Sequence, residues 1–313
     1  MKKLLAIAVF TILFPNIVYA QTGSTQQFGV SPFLEELEVA KGGSIESSIT
    51  ISNLTNEKVD LQISTQDFIP GDRGEALFVP DSEVNENTFS LASWVKFKNG
   101  SVVTLEPGKD AVVEYTLNPP ANAEEGTHYG AILFSNTRGS SLAGVDIKQS
   151  VGTIILVSYG QARPSGEVEY SVNKKFQWWN GTFEFTNHFV NTGNVHVKPK
   201  GEVVVRNIFG QVVATPQLNR DANNVLPKSE RTFLTFWLPE NWRFGRYAAE
   251  LNLVYGREKL EIKNSVIIWV LPIYILIPLI IIFGFIVWFM LHGRHLHRRR
   301  VVRKHLEQTN ILN

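Results

Sequence analysis

The stretch PENWRFGRYAAELNLVYG, residues 239–256, repeats in outline what PPANAEEGTHYGAILFS, residues 119–135, has already said. Each runs from proline through polar residues to glycine and then Tyr-x-Ala-x-Leu: Gly126, Tyr129, Ala131 and Leu133, then Gly245, Tyr247, Ala249 and Leu251. The likeness extends upstream. Pro107 and Pro119 stand twelve apart with Val113, Tyr115 and Leu117 alternating between them. Pro227 and Pro239 stand twelve apart with Leu234, Phe236 and Leu238 alternating. Earlier still, Asn53-Leu-Thr-Asn56 is matched by Asn191-Thr-Gly-Asn194. The order of hairpin, proline turn plus strand, and Gly–Tyr–Ala strand therefore occurs twice. A unit repeated at this scale reads as two β-domains on one plan.

The local pattern agrees. Ile45, Ile49 and Ile51 alternate with polar residues, and after a turn so do Val59, Leu61 and Ile63. Period two with turn signals every 8–12 residues predicts an all-β chain of two tandem immunoglobulin-like sandwiches. Tyr129 and Tyr247 sit where a tyrosine corner would tie one sheet to the other; the plainer reading is a half-buried strand tyrosine. Residues 21–27 read as a flexible leader, 28–162 as domain one and 163–265 as domain two, with Ala162-Arg-Pro-Ser-Gly166 as the break.

The two ends carry targeting signals. Lys2 and Lys3, the apolar run Leu4–Phe14 and Val18-Tyr19-Ala20 predict a signal peptide over 1–20; the run is short for a membrane helix. At the other end, 266–291 contains no charged residue. Its 26 residues reach roughly 39 Å as a helix, against a hydrocarbon core of ~30 Å. Trp269 and Trp288 lie about 28 Å apart on such a helix and are expected as interface anchors. Arg294, Arg298, Arg299, Arg300, Arg303 and Lys304 make 292–313 a basic tail, so it stays cytoplasmic while the domains are exported. These cations serve as stop-transfer charge or meet anionic headgroups. The expected place is thus the cell membrane, single-pass, with both domains outside.

The whole chain has a net charge of +1. Setting aside the two leader lysines, the six tail cations and Glu307 leaves the exported part near −6. That argues against a nucleic-acid partner. Cysteine is absent, so the domains rely on apolar cores and thiol chemistry is excluded.

The first domain resembles the peptidoglycan-binding domain of the WxL-interacting proteins, bacterial surface proteins with this same layout. The resemblance rests on FGVSPFLEELEVAKGGSIESSITISNLTNEKVDLQIS from Phe28, WVKF at Trp94, and VTLEPGKDAVVEYTLNPPANAEEGTHYGAILFS from Val103. It implies partners of two kinds: cell-wall peptidoglycan and an exported WxL-type surface protein. NTGNVHVKPKGEVVVRNIFG, in the second domain, departs from the family pattern.

Four of the seven histidines lie in the tail, and His128, His188 and His196 form no metal-binding or nucleophile–base motif. We expect no enzyme, no cofactor and no metal. The tail histidines adjoin the arginine run, which disfavours a cation. Asp72, Glu75, Asp81, Glu83 and Glu86 offer calcium ligands or simple solvated turns. Aromatic residues are the better binding candidates: Trp94, Phe97, Trp178, Trp179 and Trp242, each weighed against ordinary core packing. Two function classes follow. One is a membrane-anchored surface protein that binds cell wall or another exported protein. The other is a tethered assembly factor working by strand addition, with the apolar Val151–Val157 as its open edge.

Overall fold

The computed structural model describes residues 27–71, 74–78, 89–136, 140–142, 145–147, 150–178, 181–240, 244–271 and 273–309, with side chains for all of these except 140–147, 275 and 293–309. The expected signal peptide and most of the leader lie outside the described residues.

The first domain holds β1 (Phe28–Ser31), β2 (Leu34–Val39), β3 (Ile45–Asn53), β4 (Val59–Gln66), β5 (Phe68–Pro70), β6 (Ala76–Phe78), β7 (Val95–Phe97), β8 (Val102–Leu105), β9 (Asp110–Leu117), β10 (Gly126–Asn136), β11 (Ser140–Leu142), β12 (Val145–Ile147) and β13 (Ser150–Tyr159). One sheet runs β1-β3-β9-β7 and the facing sheet β2-β13-β10-β4-β8. Alternation decides which side chains enter: Ile49 and Ile51 of β3, Leu61 and Ile63 of β4, and Ile132 and Phe134 of β10 all reach one core.

The second domain holds β14 (Gly166–Val172), β15 (Phe176–Gln177), β16 (Phe183–Asn191), β17 (Lys200–Asn207), β18 (Val212–Ala214), β19 (Gln217–Leu218), β20 (Glu230–Trp237), β21 (Gly245–Tyr255) and β22 (Leu260–Val270). The sheet β14-β16-β20 packs on β15-β22-β21-β17-β18, with β19 also on β17. Phe183, Phe185 and Phe189 from one sheet meet Val203, Val205, Leu251 and Ile268 from the other.

The shared plan reaches atomic detail at one corner. Asn53 Oδ1 accepts from Thr55 N at 2.9 Å and its Nδ2 donates to Glu57 O at 2.7 Å. Asn191 Oδ1 accepts from Gly193 N at 3.0 Å and its Nδ2 donates to Val195 O at 2.8 Å. Each asparagine is buried at the end of a strand and also bonds the strand before the proline turn: Leu105 O in one case, Val225 O in the other. In each turn the residue directly after proline sits in the left-handed region that turns of this kind need: Gly108 at φ 63°, Lys228 at φ 56°.

Three expectations are corrected. First, the Tyr-x-Ala-x-Leu phrase faces opposite ways in the two domains. In β21, Tyr247, Ala249, Leu251 and Leu253 enter the core. In β10 the core takes Ile132 and Phe134, so Tyr129, Ala131 and Leu133 face outward from it. Counting from glycine explains this: Tyr247 is two residues after Gly245, Tyr129 three after Gly126, and one residue of register inverts a strand. Second, β13 is no open edge. It pairs with β10 on one side and, in parallel, with β2 on the other, which suits an apolar run buried on both faces. Third, 266–270 is not helix. Val266, Ile268 and Val270 continue β22 against the second core, and Trp269 is opposite Arg246 and Phe176 in the sheet.

The helix that follows, α1, spans Ile273–Thr309 and contains Pro278. Its side chains from Ile277 to Leu291 are largely apolar and exposed. They are described in one unbroken run only over 276–292. Among the described residues no helix is long and apolar enough to cross a membrane. The span expected over 266–291 rests on the sequence alone, and its first five residues belong to β22.

Candidate functional site: the cleft between the domains

The two sandwiches meet end to face. The outer face of the β2-β13-β10 sheet, where Tyr129 and Leu156 point, gathers Phe68 and receives Leu226 from the second domain. Beside this small apolar contact lies a polar seam built around Asn194. Its Nδ2 donates to Glu125 O at 2.9 Å and Gln161 O at 3.0 Å, and its Oδ1 accepts from Arg163 N at 2.7 Å. Its own carbonyl accepts from Thr127 N at 2.8 Å. Gly126 permits that approach: at φ 142° a Cβ there would stand 2.3 Å from Asn194 O.

Next along the seam, Thr127 Oγ1 accepts from His196 N at 3.0 Å and lies 2.9 Å from His196 Nδ1. Glu36 on β2 accepts from Lys198 Nζ at 2.6 Å and from Asn224 Nδ2 at 2.7 Å. Arg257 Nη1 donates to Glu38 at 2.9 Å, but both side chains are largely in solvent, and such pairs contribute little. The bonds of half-buried Asn194 weigh more. Burial pulls the His196 imidazole below its ordinary value, partly offset by Glu36. Burial alone would raise the Glu36 carboxyl, yet the bonds from Lys198 and Asn224 and the nearby His196 and Lys198 charges hold it below the ordinary value.

Between these contacts and the turn Gly256–Glu258 opens a cleft of about 610 Å³, lined by Glu36, Glu38, His196, Lys198, Arg257 and Glu258 among others. The volume falls in the range of small-molecule sites. Its walls offer carboxylates, two cations and backbone groups. This arrangement can hold a polar ligand by hydrogen bonds of both senses. Among the described residues no group of three or more His, Asp or Glu side chains is placed to hold a metal ion.

The aromatic candidates scatter. Trp94 is 4 % exposed and packs at a tilt against His128, with ring centres 4.1 Å apart, inside the first core, so it cannot present a ring to a ligand. Phe97 is half-buried and packs against the same core. Trp178 is 54 % exposed, at the far end of the second domain from the cleft. Trp179 and Trp242 lie outside the described residues, as do Asp72, Asp81, Glu83 and Glu86 of the acidic stretch. Tyr247 donates to Phe244 O at 3.4 Å, a short link within its own strand end. Tyr129 packs on Phe68 at 5.1 Å and Phe89 at 5.9 Å, and burial with the nearby Asp67 charge pushes its hydroxyl up to about 12. Two further tyrosines tie sheet to sheet: Tyr115 donates to Glu35 at 2.6 Å and Tyr170 to Ala249 O at 3.3 Å. Trp288 is exposed on α1 and stacks on His292 at 5.2 Å. Arg294, Arg298, Arg299, Arg300, Arg303 and Lys304 follow on the helix, outside the described side chains.

Sequence reasoning missed Glu36, Asn194, Lys198 and Arg257. The polar turn at Asn191–Asn194 was visible as a hairpin signal, but nothing in it says that a neighbouring domain will be its acceptor.

Comparison with known proteins places the first domain. Residues 19–136 match the family model described as WxL Interacting Protein, peptidoglycan binding domain; the match stops at the end of β10. No curated protein matches the chain. Among solved structures, one from a chaperone–tip adhesin complex of CFA/I fimbriae biogenesis is 13 % identical, with 78 % of this chain and 99 % of that chain covered and a TM-score of 0.41. The class 5 fimbriae chaperone CfaA is 14 % identical, with 78 % and 99 % covered and a TM-score of 0.40. The E. coli chaperone DraB is 9 % identical, with 76 % and 97 % covered and a TM-score of 0.36. Over residues 19–136, the first domain is thus similar to the peptidoglycan-binding domain of WxL-interacting proteins.

Proposed function

We propose that the chain is a surface protein that holds cell-wall polymer close to the membrane that anchors it. The observation that carries this reading is the family match of residues 19–136. We assign the wall polymer to the interdomain cleft. Peptidoglycan presents hydroxyls, amides, amines and carboxylates together, and the cleft sets Glu36, Glu38 and Glu258 beside Lys198 and Arg257. Anchoring rests on the charge-free part of α1, Ile273–Leu291, with its exposed apolar side chains, and on the basic tail. An exported WxL-type protein is the second partner on this reading, met by the outward faces of the second domain. The test is co-sedimentation of the whole chain, in mild detergent, with purified insoluble peptidoglycan. Retention is expected, and Glu38→Ala with Arg257→Ala is expected to lower it. A chain that stays wholly in the supernatant would reject wall binding.

The strand-addition reading keeps one specific observation. β20 ends its sheet, hydrogen-bonded to β16 alone, and shows Leu234, Phe236 and Leu238 at 48–63 % exposure. Past Glu230 and Arg231 this edge carries no charge, and such an edge can accept an extended segment. Native mass spectrometry with peptides from exported surface proteins tests it; one stoichiometric peptide, lost on Phe236→Lys, is the expected result.

A further inference from the structure

The end of the second domain that leads into α1 is unusually rich in exposed aromatic side chains. Strand registry brings four segments to this level. Asn207 is opposite Tyr247, Tyr247 opposite Ile268, Gly245 opposite Val270, and Phe176 opposite Trp269. The chain past Asn207, the chain before Gly245, and β15 with its following residue therefore all end beside the start of the helix. Their tips carry Ile208 and Phe209, Phe244, and Phe176 and Trp178, at 62, 81, 72, 49 and 54 % exposure. The helix is seated directly on one of them. Leu271 N donates to Gln177 O at 2.7 Å and Ile273 N to Trp178 O at 3.0 Å.

Turn chemistry does not ask for these residues. The 207–210 turn is made by Asn207, whose Oδ1 accepts from Phe209 N and Gln211 N, and by Gly210 at φ 77°. Positions 208 and 209 are left free, and water would favour polar residues there. At the next tip, the Tyr247 hydroxyl donates to the carbonyl of Phe244, which leaves the Phe244 ring in the open. Phe176 and Trp178 stack on each other at 6.2 Å, across the surface rather than into the core. Exposed cations flank the patch at Lys175 and Arg246.

We infer that this aromatic end rests in the outer headgroup layer of the lipid bilayer, so that the second domain stands on the membrane rather than swinging above it. The inference rests on the membrane anchoring proposed above. Two facts select lipid over a second copy or another protein. The patch shares its end of the domain with the start of α1, and the α1 side chains from Ile277 to Leu291 are largely apolar and exposed. Aromatic rings over an apolar layer with cations beside phosphates are what the interface favours.

The chain has no cysteine, so single reporters can be placed. The whole chain carrying Phe209→Cys, Phe244→Cys or Val112→Cys would each be labelled with a polarity-sensitive fluorophore. Each would be reconstituted in phosphatidylglycerol–phosphatidylethanolamine vesicles containing a lipid with a shallow quencher. Val112 is 57 % exposed on β9 of the first domain and serves as the control. Labels at 209 and 244 should be quenched by the lipid about threefold or more strongly than the label at 112, and less by aqueous iodide. If the chain floats with the vesicles but all three labels respond alike, the resting contact is overturned and anchoring stands. Labels at 209 and 244 shielded from iodide yet unquenched by lipid would place protein there and also overturn it. A chain that does not float with the vesicles overturns both readings.

Discussion

Strands β10 and β21 carry the same phrase and use it in opposite directions. In β21 the tyrosine, alanine and leucine build a core. In β10 those three face away from the core, where Tyr129 joins Leu156 and the second domain's Leu226. The core positions of β10 pass to His128, Ile132 and Phe134, one residue out of step. The outward Tyr129 is covered by Phe68 and Phe89 of its own domain together with Leu226 of the second. A repeated motif thus identifies a repeated strand without fixing which face of it is buried.

The largest effect should come from the repeated leucine. Leu251 is fully buried, so Leu251→Ala should destabilise the second domain by about 2–5 kcal/mol. Leu133 is half-buried on the outer face, and Leu133→Ala should cost about 1 kcal/mol. Urea denaturation of each variant measures both; equal losses would mean that the two strands are in the same register after all.

The repeated glycines separate next. Gly126→Ala places a Cβ against Asn194 O and should break the seam between the domains, at about 1–3 kcal/mol. Gly245 has φ 109° but open space around a Cβ, so Gly245→Ala should cost only backbone strain of about 1 kcal/mol and leave the domains together. Small-angle scattering reads the difference: only Gly126→Ala should extend the particle.

Acid should loosen the seam while leaving the second core intact. His196 has a lowered value when the domains are docked, so undocking takes up protons as pH falls below the free imidazole value of 6.5. The docked state is favoured fully above that pH and loses ground down to the lowered value. Glu36, also lowered, adds stability above the free carboxyl value of 4.5 that is lost as pH falls through the lowered one. Both act in one direction. Protease cutting between Tyr159 and Gly166 should therefore quicken at about pH 5 relative to neutral pH, and His196→Gln should flatten the upper part of that change.

The smallest change tests the shared corner. Lys228 holds the left-handed conformation that Gly108 holds in the other domain. Lys228→Gly should be neutral or stabilising by up to about 1 kcal/mol, minus the loss of the Lys228 bond to Thr192 O. Gly108→Lys should be destabilising by a similar amount; thermal melts of the pair measure both.

What the sequence determined by itself is whatever depends on neighbours along the chain. Alternation of apolar residues makes strands, the Asn53 and Asn191 turns bond their own next few residues, and the twelve-residue proline spacing repeats because each unit closes locally. The two sandwiches were legible on those grounds. Only tertiary structure decided the rest. Val151–Val157 looked like an open edge, and pairing on both sides made it central. Trp94 and Trp178 looked alike, yet one is sealed in a core and the other stands in the open. Val266–Val270 looked like the start of a helix, and the second sheet claimed it because its alternate residues fill that core. The cleft is the clearest case. Glu36, Asn194 and Lys198 come from segments more than a hundred residues apart, and their roles exist only once two separately folded domains desolvate one another's polar groups.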